Sequence, residues 1–151
     1  MAAAANAQLL VDGSDPVRLQ TWEIAMEADP AYLPGDDGEV NLDLELARVA
    51  ALTAVRRHAR PSSPWNSARP LSRVEHVIGS GGVLRHSSES NQDNVLRAVI
   101  TDFSGGWKVP TEARTSVDSS YLLFAAGLLA DAEGYGPEVA SRVAGRVLDL
   151  G

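Results

Sequence analysis

Apolar positions recur with a helical period in the first part of this chain and with mixed periods in the second. Asp12-Gly13-Ser14 is a turn signal, and residues 8–11 before it read as a short strand fragment. Asp15-Pro16 then opens a helix. The Asp15 carboxylate suits the free N–H groups of the first turn, and proline fits where an N–H has no partner anyway. Leu19, Trp22 and Met26 follow at i, i+3 and i+7 and make an apolar face that ends at Pro30 and Pro34. A second helix is predicted over 41–58. Leu42, Leu46, Val49 and Thr53 line one side, with Leu44, Ala47, Ala51, Ala54 and Val55 on others, so the helix should be buried on more than one side. Arg56, Arg57 and His58 fall in its last turn, where cations suit the exposed carbonyls.

Beyond the Pro61–Pro64 break the pattern changes. Residues 74–78 read as a short strand running into Gly79-Ser80-Gly81-Gly82. A helix over 92–102 carries Val95, Leu96, Val99 and Ile100 on one face, with Ser90 and Asp93 spaced as in a capping box. Residues 107–109 and 115–117 suggest two more strands. Asp118 should cap a helix over 119–132 that is apolar all round and therefore expected in the core. Gly134 can close it in a left-handed conformation, and a last helix runs over 137–148. Strand–helix alternation behind a helical first half predicts a helix-rich α/β fold.

Composition narrows the function. The 151 residues suit one core of ordinary globular make-up, 44% hydrophobic and 22% charged. Net charge is −7, so a nucleic-acid partner is not expected. The longest apolar stretch, 121–130, is about half of a membrane span, so neither is a membrane. The N-terminus lacks a basic n-region, and there is no cysteine, which suits a reducing cytoplasm and excludes thiolate chemistry. Residues 1–46 hold ten acids against one base, Arg18, whereas 47–151 hold twelve bases against ten acids. The chain therefore reads as an acidic helical segment, 1–45, ahead of a nearly neutral unit, 46–151.

The glycine turn is the most informative local feature. Glycines directly after an apolar strand let a flat or anionic ligand approach the main chain, or simply allow a tight strand exit. The turn is no Walker A loop, since no Gly-Lys-Ser/Thr follows, and no dinucleotide fingerprint, since the third spaced glycine is missing and no helix is predicted to begin immediately. His58, His76 and His86 lack metal-ligand spacing, and no Gly-x-Ser-x-Gly elbow exists. A helix cap accounts for Asp118, and Asp36-Asp37 read as solvated loop acids.

Three blocks in order carry a family resemblance. They are the helix through Ala54-Val55 to Arg57-His58, the run Leu71-Ser-Arg-Val74 with Val77-Ile-Gly-Ser-Gly-Gly-Val-Leu84, and Asp118-x-x-Tyr121 with Ala125-Ala-Gly-Leu-Leu-Ala130. Together they resemble the C-terminal part of the glutamate mutase L family, the methylaspartate mutase accessory proteins, over about residues 42–148. Ala59-Arg60 departs from the glycine usual after Arg-His, and Ser80 stands where threonine is usual. The resemblance implies the C-terminal part of a ribonuclease-H-like lobe of the actin-like ATPase superfamily. It also implies an adenosylcobalamin-dependent mutase as partner and a site for ATP or ADP, whose adenosine side would lie on Gly79, Ser80, Gly81 and Gly82. The phosphate loops and acidic metal-positioning residues of such ATPases are not found in the sequence, and its length is too small for two lobes. The expectation is a C-terminal portion without autonomous catalysis, whose exposed lobe surface favours self-association. Two other readings stand beside it: a non-catalytic interaction module with a structural glycine turn, and part of a hydantoinase-like or kinase-like enzyme.

Overall fold

The computed structural model describes residues 15–61, 63, 65–67, 71–101, 109–132 and 134–148. The readings at 8–14 and at Trp107-Lys108 lie outside them. The elements run α1 (Pro16–Ala28), α2 (Asp37–Ala59), a 3-10 turn (Leu71–Arg73), β1 (His76–Gly79), α3 (Gly82–Arg85), α4 (Glu89–Thr101), β2 (Arg114–Val117), α5 (Leu122–Asp131) and α6 (Pro137–Leu148). The fold is a helix-rich α/β arrangement around a small two-stranded parallel sheet.

The first helix forms as its sequence predicts. Asp15 accepts from the N–H groups of Val17 and Arg18 at 3.0 and 3.2 Å. Leu19 and Trp22 are buried and Met26 is half-buried against α2. The link to α2 is aromatic and acidic. Trp22 meets Tyr32 edge to face at 5.8 Å, and its indole N–H reaches Asp43 at 3.5 Å. The Tyr32 hydroxyl donates to Glu39 at 2.8 Å, and the Gly35 N–H reaches the same carboxylate at 2.7 Å.

Helix α2 begins four residues earlier than its apolar pattern indicates. Asp36 accepts from the Glu39 N–H at 2.9 Å and so caps the helix, and Asp37 is its first residue. Neither is a loop acid, because a free first turn recruits a carboxylate wherever one stands. Helix α2 is buried along Val49, Leu52, Thr53 and Ala59, with α1, α3 and α4 packed on it. Arg56 falls in the last turn as expected and is buried at 5% exposure.

Strand β1 starts two residues later than predicted and takes in Gly79. It pairs in parallel with β2, His76 opposite Arg114 and Gly79 opposite Val117. Parallel neighbours need a crossover, and α3 and α4 lie in that connection. Helix α4 opens at Glu89, not 92. The Asn91 N–H meets both the carbonyl and the hydroxyl of Ser88, so Ser88 takes the capping place assigned to Ser90. Leu84, Val95 and Leu96 form the central cluster, with Leu44, Val77 and Val117 against it. Val109 is buried but not in a strand.

Helix α5 departs most from expectation. Its pattern is apolar all round, yet only Ala126 is buried, and Phe124 and Leu128 are 68% and 59% exposed. Helix α5 packs chiefly on α6, whose Val147 is fully buried, and one neighbour covers one face. Gly134 adopts the expected left-handed φ, +85°, but α5 already ends at an extended Ala132, so the glycine shapes the following turn and does not close the helix.

Candidate functional site

The glycine turn sits at the carboxyl ends of the two parallel strands. Asp118, just past β2, donates its N–H to the Gly79 carbonyl at 2.9 Å, so the strand exits are pinned together. From there the four residues of the turn divide into two kinds.

Gly79 is buried and faces inward. A Cβ there would lie 2.6 Å from Leu84 Cδ1 and 3.1 Å from Leu96 Cδ2. Packing alone therefore requires this glycine: Leu84 folds back over the strand end and occupies the space. Ser80, Gly81 and Gly82 face outward. Gly81 has φ +106°, a conformation that a side chain strains, and nothing lies within 4 Å of a Cβ built on it. Gly82 is equally open but has an ordinary φ and begins α3. The immediate start of a helix corrects the sequence reading, in which none followed the turn. Of the four expected positions, Gly81 and Gly82 border open space and Ser80 is exposed, whereas Gly79 is packed inward.

Two side chains frame this surface. Arg85 closes α3 and lays its guanidinium over the Tyr121 ring, 4.6 Å from the centroid. Tyr121 holds a left-handed conformation, φ 53°, immediately before α5. Asp118 is 1% exposed, and its two oxygens accept from the N–H groups of Leu122 and Leu123 at 2.8 and 2.9 Å. It opens α5 as expected, from three residues ahead of the cap position. Both oxygens are thus engaged in holding the first turn of α5. The Arg85–Tyr121 contact had no signal in the sequence, since the two residues are 36 positions apart.

Among the described residues, no group of three His, Cys, Asp or Glu side chains is arranged to hold a metal ion. No described helix is long and apolar enough to cross a membrane. The Tyr32 pKa is displaced upward, chiefly because its hydroxyl donates to the Glu39 carboxylate.

A parallel strand pair ending in a glycine turn, with helices in the crossover, makes this a helix-rich α/β protein. Comparison with known proteins then narrows the class. The family described as MutL protein matches residues 1–148, and the chain belongs to that family. Protein MutL of Clostridium tetanomorphum is 32% identical over 109 residues, covering 66% of this chain. The chain spans 23% of that relative's length. No solved structure matches.

Proposed function

We propose that this chain is the C-terminal part of an accessory, reactivating ATPase-like protein that serves an adenosylcobalamin-dependent mutase of the glutamate mutase type. In this reading it forms part of a ribonuclease-H-like, actin-like lobe and supplies the adenosine side of a nucleotide site. The observation that carries the reading is the open main chain of Ser80, Gly81 and Gly82 at the ends of parallel strands, where a Cβ on either glycine would meet no protein atom. Those positions fit ATP or ADP: they would hold the nucleoside by close main-chain approach, and the bound nucleotide would supply the hydrolysable phosphates. Catalysis and phosphate binding would need residues from the rest of a protein of the relative's length.

One observation favours a second reading. Gly79 is explained by Leu84 and Leu96 without any ligand, as a structural glycine turn would be. In that case the chain is an interaction module, with the exposed Phe124 and Leu128 of α5 as contact residues. ADP titration of the full-length family protein separates the two. Under the first reading ADP raises the melting temperature, by about 2.7 kcal/mol of stabilisation at a hundredfold excess over Kd. Gly82→Val then removes the shift while the unliganded protein melts normally. Absence of an ADP shift in the parent protein, or a shift untouched by Gly82→Val, removes the turn from any nucleotide site.

A further inference from the structure

We propose that the outer edge of β2 is a docking groove for an extended cationic peptide segment, held by strand addition. The direction of the backbone groups comes from two hydrogen bonds. The Arg114 N–H donates to Glu75 and the Asp118 N–H to Gly79, both at 2.9 Å, so alternate residues from 114 face β1. The N–H and C=O of one strand residue point to the same side, so those of Thr115 and Val117 point away. The Val117 carbonyl accepts from the Ser119 N–H at 2.9 Å. The Thr115 N–H and C=O and the Val117 N–H remain, and among the described residues none of the three has a backbone partner. Such a row is a template for another strand.

The edge also borders a partly open groove. A cavity of about 630 Å³ lies along it, between Thr115, Val117 and Ser119 on one wall and Glu89, Asp93 and Leu96 of α4 on the other. The only charged side chains among its described lining are the two carboxylates, one turn apart on α4. Asp93 pairs with Arg97 at 3.0 Å, but both are more than half exposed, and such a pair exchanges partners at little cost. An acidic segment would meet repulsion from Glu89 and Asp93. A segment bearing Lys or Arg would set its main chain on β2 and its cations toward α4.

The test uses a fluorescent octapeptide alternating lysine with threonine or valine, and follows its anisotropy as the intact chain is added. Saturable binding is expected. It should weaken at least about tenfold when alternate peptide amides are N-methylated, and as much when glutamate replaces lysine. Glu89→Lys should weaken it too, as should Thr115→Pro, which deletes an outward N–H that an edge strand can spare. If Thr115→Pro does not fold, the methylated peptide decides the matter on the native chain. No saturable binding, or equal binding of the methylated peptide, overturns the proposal. So does dimerisation of the chain that Thr115→Pro abolishes, because the groove's occupant would then be a second copy.

Discussion

The guanidinium carbon of Arg85 lies over the ring of Tyr121, 4.6 Å from its centre, and so ties the helix after the glycine turn to the start of α5. Tyr121 pays for this position with a left-handed backbone, φ 53°, which disfavours any residue with a Cβ. A double-mutant cycle on Arg85→Ala and Tyr121→Ala should give a coupling of about 0.5–1 kcal/mol, the range for an exposed cation over a ring. Tyr121→Gly should cost less than Tyr121→Ala, because glycine relieves the backbone while losing the same contact. Equal costs in urea denaturation would show that the conformation carries no strain.

The three glycines of the turn should behave differently. Gly79→Ala forces a methyl into Leu84 and should destabilise by about 1–3 kcal/mol, as overpacking does. Gly81→Ala meets no atom but must hold φ +106°, so the expected cost is about 1–3 kcal/mol from backbone strain alone. Gly82→Ala meets neither obstacle and should be neutral or stabilising by about 0.4–1 kcal/mol. Introducing Leu84→Val into Gly79→Ala should recover part of the loss and recover none in Gly81→Ala. Denaturant midpoints of the five variants check the set.

Asp118→Ala strands two N–H groups at the start of α5 and should cost about 1–3 kcal/mol. Asp118→Asn keeps one acceptor oxygen and should retain part of that stability. Hydrogen exchange at Leu122 and Leu123 gives the local readout: both amides should exchange faster in Asp118→Ala. Unchanged exchange would mean that the carboxylate does not hold this helix end.

Tyr32 ties a pH response to the α1–α2 connection. Its pKa is raised in the folded chain because the protonated hydroxyl donates to Glu39. The folded state therefore binds this proton more tightly than the unfolded state. Its contribution is full below the ordinary tyrosine value of 10.0 and fades as pH climbs through the raised one. An alkaline tyrosinate titration should show Tyr32 titrating late, and Glu39→Gln should move it back toward the ordinary value. If Glu39→Gln leaves the titration unchanged, the hydrogen bond is not its cause.

Local chemistry was legible before any coordinates. Asp15-Pro16, the Leu19–Trp22–Met26 face, the strand before Gly79 and the left-handed Gly134 are each written in a few neighbouring residues, because caps, periods and φ preferences act within one or two turns. The three blocks that carry the family resemblance are local in the same way, and the MutL family match bears them out. Boundaries were less legible. Asp36 and Ser88 took the capping places by geometry, ahead of the apolar positions that mark the helices they open. What no stretch of sequence could contain was decided by distant residues meeting. Leu84 and Leu96 turned Gly79 inward, Arg85 found Tyr121, and α5, apolar on every side, stayed largely uncovered because α6 shields a single face. Hydrophobic pattern states how much surface an element would gain by being buried, but only the arrangement of its neighbours determines which part of that surface leaves water.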